Sequence, residues 1–169
     1  MHDTLYFTEH HFQVRDMVRD FAQQVVKPSA RRYDVESLFP WDNVRRMADL
    51  GLFGIPWPEE LGGSGMDYLS YILVIHELAK VDASHAITVS AHTTLGTSPI
   101  VDFGTPEQKQ RYVPLLATGK VLGGFGLTEP GPGRMPAARA RWRRRRATTM
   151  SSMARRSSLR MPESGRSSS

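Results

Sequence analysis

Charge and apolar content change abruptly at residue 134. Residues 1–133 carry 11 Lys and Arg against 16 Asp and Glu, a net charge of −5, whereas 134–169 carry 11 Arg against the single acid Glu163, a net charge of +10. The whole-chain value of +5 therefore describes neither part. From Arg134 onward there is no Val, Ile, Phe or Tyr, and the apolar side chains are scattered Ala and Met with Trp142 and Leu159. Ordering a residue costs roughly 1–2 kcal/mol of backbone entropy, and so little apolar area does not offset it. A packed core has to come from the first 133 residues, and the Arg/Ser-rich tail 134–169 is expected to be disordered.

The body reads as helices punctuated by Gly and Pro. Val14, Met17, Val18, Phe21, Ala22 and Val25 recur at the spacing of one amphipathic helical face, which Pro28 interrupts or ends. A second helix fits Pro40 to Leu50, with Gly51 as its C-terminal cap. The stretch GIPWPEELGGSGMD (54–67) is a loop, Asp67 to Lys80 an apolar helix, and Ala83 to Thr97 another. Thr105-Pro106-Glu107-Gln108 opens the last helix with a capping box, and Gly119 closes it. LGGFGLT (122–128) reads as a short strand entering a Pro/Gly turn. The fold class is all-α over 1–120, with 121–133 starting a β element.

Several chemistries are excluded or disfavoured. With no cysteine there is no disulfide, iron–sulfur cluster or thiol nucleophile. His10 and His11 diverge by about 100° on a helix, and His76-Glu77 lacks a second His four residues on, so structural roles are favoured over metal ligation. The longest wholly apolar stretch, Tyr71 to Ile75, is too short to cross a bilayer, and the opening MHDTLYFTEHHF has no leader pattern, so a cytoplasmic chain is expected. The run RARWRRRR (139–146) could hold nucleic-acid phosphates, with Trp142 stacking on a base. That defines an alternative reading, a helical interaction module with a basic tail. The acidic body offers no basic face to extend such a patch, and nucleic-acid binding is disfavoured.

Four segments, GLFGIPWPEELGGSGMDYLSY (51–71), VDASHAITVSAH (81–92), FGTPEQKQRYVPLLATGK (103–120) and GGFGLTEPGPG (123–133), resemble the acyl-CoA dehydrogenase family of FAD flavoproteins. The likeness runs through residues 5–133 in unbroken order, with a short- and medium-chain bacterial character. It implies an N-terminal helical domain followed by the first strand of a middle β-barrel domain. It also implies acyl-CoA as substrate, an electron-transfer flavoprotein as partner and a homo-oligomeric full-length form. By the same resemblance, the turn holding Phe125, Gly126, Leu127, Thr128, Glu129, Pro130, Gly131 and Gly133 lies against the flavin, with Leu127 and Thr128 on the isoalloxazine. Ala91 and Leu95, on the helix expected over 83–97, become candidates for the wall of the acyl tunnel, although core packing would explain them equally well.

The likeness stops in mid-motif. The family turn continues Gly-Ser-Asp-Ala, whereas Arg134-Met135-Pro136 follows Gly133 here, and no residue matches the family's glutamate base. No catalytic residue is assigned. A one-nucleotide shift near codon 134 accounts for the change, each true codon being the third base of one codon plus the first two of the next. Met has one codon, ending in G, so Met135-Pro136 and Met161-Pro162 each become Ala and Met153-Ala154 becomes Gly. Met150-Ser151 becomes Val for the four-codon serine box. With wobble bases chosen to suit, 134–141 becomes SDAGGTRT and 147–168 becomes DDYVINGAKIFITNAGVGEIFV, the family's continuation in order and spacing. The expectation is a frameshifted fragment, inactive alone.

Overall fold

A computed structural model describes residues 6–126 of the chain. The tail 134–169 and the turn residues Leu127, Thr128, Glu129, Pro130, Gly131 and Gly133 lie outside the described residues.

The first apolar face winds into helix α1 (Glu9–Phe21), which runs on through a π-helical turn (Ala22–Val26) into α2 (Lys27–Val35). Pro28 thus interrupts the helix without ending it. A proline cannot donate to the carbonyl four residues back and its ring crowds that carbonyl; a wider turn moves the two apart. The hydroxyl of Ser29 then donates to the Val25 and Val26 carbonyls, each at 3.0 Å. The wider turn also changes which valine is buried: Val26 is wholly buried, whereas Val25 is only partly so.

Helix α3 (Trp41–Asp49) ends as its sequence indicates. Gly51 takes φ +72°, its N–H donates to the Ala48 carbonyl at 2.9 Å, and the Leu52 N–H donates to the Met47 carbonyl at 3.0 Å. This is a Schellman close, and it turns Leu52 and Phe53 into the core. The loop 54–67 folds back on itself around a 3₁₀ turn (Glu59–Leu61), with the Ser64, Gly65 and Met66 amides donating to the Gly54, Trp57 and Ile55 carbonyls. Helix α4 (Tyr68–Ala79) starts on Asp67, whose carboxylate accepts from the Ser70 N–H at 2.8 Å.

Helix α5 (Ala83–Ala91) passes through a second π turn (His92–Thr97) into α6 (Ser98–Phe103). Helix α7 (Pro106–Ala117) opens with the anticipated capping box: the Thr105 N–H donates to Gln108 Oε1 at 2.9 Å and the Gln108 N–H to Thr105 Oγ1 at 3.3 Å. Residues 122–126 show no strand pairing among the described residues. A strand takes its hydrogen bonds from a neighbour, and this segment instead lies across the second π turn.

The core lies between α1, α3, α4 and α5, where Val18, Met47, Phe53, Val74, Leu78 and Val89 lose almost all contact with solvent. Burial of such a side chain contributes about 1.5–3 kcal/mol each. Polar groups staple the same helices together. His11 accepts the Thr8 N–H on Nδ1 and donates from Nε2 to Asp67, each at 2.9 Å, tying the starts of α1 and α4. His85 donates from Nδ1 to Asp82 at 2.9 Å and accepts the Asn43 amide on Nε2 at 3.0 Å. Asn43 also donates to Ser29 Oγ at 2.9 Å, so α5, α3 and α2 share one network. Buried Glu77 receives Arg19 of α1 at 3.1 Å and Lys80 at 2.8 Å. Burial alone would push its carboxyl up; the hydrogen bonds from Arg19 and Lys80 outweigh that and hold it below its ordinary range.

Candidate functional site

The described candidate residues fall on two neighbouring pieces, the α5–α6 helix and the segment 121–126 that leaves α7. Asp82 starts the helix by accepting the Ser84 N–H at 2.7 Å. Its π turn precedes Pro99 as the first precedes Pro28, and again a hydroxyl fills the widened backbone. Thr97 Oγ1 donates to the His92 carbonyl at 3.0 Å. The turn carries the wholly buried imidazole of His92 to the end of α7, where Nε2–H donates to the Leu116 carbonyl at 3.0 Å. On its other side Nδ1 accepts the Gly123 N–H, also at 3.0 Å. The two bonds require the neutral ring with its proton on Nε2. Burial holds its pKa down at about 4, against a smaller upward pull from the Leu116 carbonyl. Phe53 meets the ring edge-on, with centroids 4.8 Å apart.

Gly96, in the same π turn, lies against Gly123. A Cβ on Gly96 would come within 2.7 Å of the Gly123 Cα, and one on Gly123 within 2.9 Å of the Gly96 Cα. Only a pair of glycines lets the segment cross the helix this closely. Beyond the crossing the backbone opens out, and among the described residues a Cβ on Gly124 or Gly126 would meet nothing within 4 Å.

Phe125 and Gly126 are the two expected turn residues that are described; Phe125 is 58% exposed. Ala91 is half-buried, and Leu95 is 49% exposed. With Ile87, 62% exposed and one turn before Ala91, they form an apolar stripe along α5 and the π turn. A groove of about 550 Å³ lined by Phe39, Trp41, Val44, Ala48 and Leu122 opens beside α3, but no described candidate residue lines it. The described candidates Phe125 and Leu95 stand exposed, with Ala91 half-buried beside them. His10 and His76 are exposed, and among the described residues no three His, Asp or Glu side chains gather as metal ligands.

The sequence profile described as "Acyl-CoA dehydrogenase, N-terminal domain" matches residues 8–120. The chain belongs to the acyl-CoA dehydrogenase family. A short-chain-specific acyl-CoA dehydrogenase of Clostridium acetobutylicum is 48% identical over 120 residues, covering 71% of this chain and 32% of the relative. The solved butyryl-CoA dehydrogenase of Megasphaera elsdenii superposes with a TM-score of 0.70 at 37% identity, covering 75% of this chain and 34% of that one. An acyl-CoA dehydrogenase of Bacillus anthracis, solved in complex with FAD, gives a TM-score of 0.68 at 36% identity, covering 76% and 22%. The chain spans about a third of the length of the curated relatives it matches.

Within this acyl-CoA dehydrogenase domain, sequence reasoning missed Ile87, His92 and Gly96. Ile87 was hidden because one exposed isoleucine on a helix is ordinary. His92 carried no spacing signal, since its partners are backbone groups of Leu116 and Gly123 far along the chain. Gly96 did leave a trace. A glycine inside a helical stretch costs about 1 kcal/mol against alanine and so asks for a packing reason.

Proposed function

We propose that this chain supplies the helical acyl-facing wall and the first part of the flavin turn of an FAD-dependent acyl-CoA dehydrogenase that desaturates acyl thioesters between the α and β carbons. The family membership carries this reading, and the open ledge beside the apolar stripe supports it. The described backbone fits a flavin: Gly124 and Gly126 have free space where a Cβ would stand, so a planar ring can approach the main chain. Phe125, Gly126, Leu127, Thr128, Glu129, Pro130, Gly131 and Gly133 would hold it. When bound, FAD supplies the acceptor for the two electrons of the dehydrogenation. Ile87, Ala91 and Leu95 would contact the acyl chain and keep water from it. Acyl-CoA as substrate, an electron-transfer flavoprotein as onward acceptor, a homo-oligomeric full-length form and a cytoplasmic location belong to the same proposal.

The 169-residue chain is further proposed to be a frameshifted fragment without turnover, because no residue in it is assigned as the base that takes the α proton. The test is acyl-CoA-dependent reduction of an artificial electron acceptor by the purified chain with added FAD. The expected rate is that of the no-enzyme blank. A rate above the blank that co-purifies with the chain would overturn the inactivity.

A further inference from the structure

We infer that His92 is a positioning residue: through its Nε2–H tautomer it fixes how the segment entering the flavin turn lies on the acyl-facing helix. The geometry is a three-body clamp. One ring nitrogen holds the last turn of α7 through the Leu116 carbonyl, the other holds the Gly123 amide, and the ring itself belongs to the π turn. The Gly96–Gly123 crossing removes the steric standoff that would keep these pieces apart. Two residues after Gly123 the flavin-turn residues begin, and one residue before Gly96 stands Leu95 of the apolar stripe. Both faces of the proposed site are therefore referenced to one buried imidazole. Phe53 against its edge and the Thr97 hydroxyl oxygen 3.4 Å from Nε2 limit how far the ring can turn.

The role rests on the flavin reading for its purpose, but the clamp can be tested without flavin. Asparagine can offer an acceptor where Nδ1 stands and glutamine can reach toward the Nε2 position, so H92N and H92Q separate the two bonds. In the full chain, amide exchange at Gly123, the amide that His92 holds, is expected to be near wild type in H92N. It should be about tenfold faster in H92Q and H92L, as for loss of one net hydrogen bond. A residue that only filled the core would give exchange that follows global stability in all three variants, and that result would overturn the inference. Should the variants not fold, the wild-type chain supplies its own test by NMR. A through-hydrogen-bond coupling between the Gly123 amide nitrogen and His92 Nδ1 is expected, and its absence would overturn the clamp. FAD titration of the same proteins separates this from the flavin reading. If exchange follows the pattern above but flavin fluorescence responds to none of the proteins, the flavin reading falls and the clamp stands.

Discussion

His92 ties the chain's stability to pH in a direction its environment fixes. Unfolded, it titrates near 6.5; folded, burial keeps the ring neutral down to about 4. Between those values the unfolded chain takes up a proton that the folded chain refuses, so stability declines as pH falls from 6.5 to 4 and this contribution levels off below. The whole span is worth about 3 kcal/mol. Asp67, Asp82 and Glu77 lose stability over an acidic range too, because hydrogen bonds hold each of their carboxyls below the ordinary value. Comparison with H92N removes their share. Urea unfolding of the two proteins from pH 7 to pH 4 should give a steeper decline for the wild type, by about that amount. Parallel curves would show that the imidazole is not held neutral by the fold.

At the scale of elements, the helices end where glycine permits it, and the two main stops differ in their surroundings. Gly51 and Gly119 both sit at left-handed φ, +72° and +68°. A Cβ on Gly51 would meet nothing closer than Ser64 Oγ at 3.5 Å, whereas on Gly119 it would lie 2.6 Å from the Ala48 Cβ and 2.7 Å from Phe53. Gly51→Ala is therefore expected to cost about 1–2 kcal/mol, the left-handed penalty alone. Gly119→Ala should cost about 1–3 kcal/mol more, since α7 must shift off α3. Thermal or urea melts of both variants decide it, and equal losses would contradict the crowding at Gly119. These stops, the capping box at Thr105 and the apolar face of α1 were legible because each is written within one turn of sequence. The π turns were not. Pro28 reads as an interruption or an end of the helix, and only the hydroxyl of Ser29 and the burial of Val26 in place of Val25 show how the chain continues. Residues 122–126 are unpaired among the described residues, and the rest of the stretch read as a strand lies outside them; strand pairing depends on a neighbour that no local pattern can supply. Ala91 and Leu95 were picked out by resemblance, while His92, which orders the segment beside them, acts through two backbone atoms and leaves no spacing to read.

Across the whole molecule, charge and apolar patterning break at residue 134. An acidic, patterned body that folds into the acyl-CoA dehydrogenase helical domain gives way, in the middle of the Gly/Pro-rich motif that ends at Gly133, to 36 residues with one acid and 11 arginines. Selection for a packed chain does not produce such a change within one turn. Reading a GC-rich coding strand out of phase does, because it enriches Arg, Ala and Ser. The Met codons make the idea specific, since Met135-Pro136, Met153-Ala154 and Met161-Pro162 fix Ala, Gly and Ala in the shifted frame with no choice of wobble base. DNA sequence across codons 131–169 is therefore expected to encode SDAGGTRT and then an NGAKIFITN-like segment in one alternative frame, continuing as a long open frame that contains a glutamate base. Expression from the restored frame should give a yellow protein with a flavin spectrum that is bleached by acyl-CoA, whereas the present chain should not bleach. If neither alternative frame carries those segments, 134–169 is an appendage in its own right. A salt-dependent shift with DNA requiring 139–146 would then show what the arginines bind.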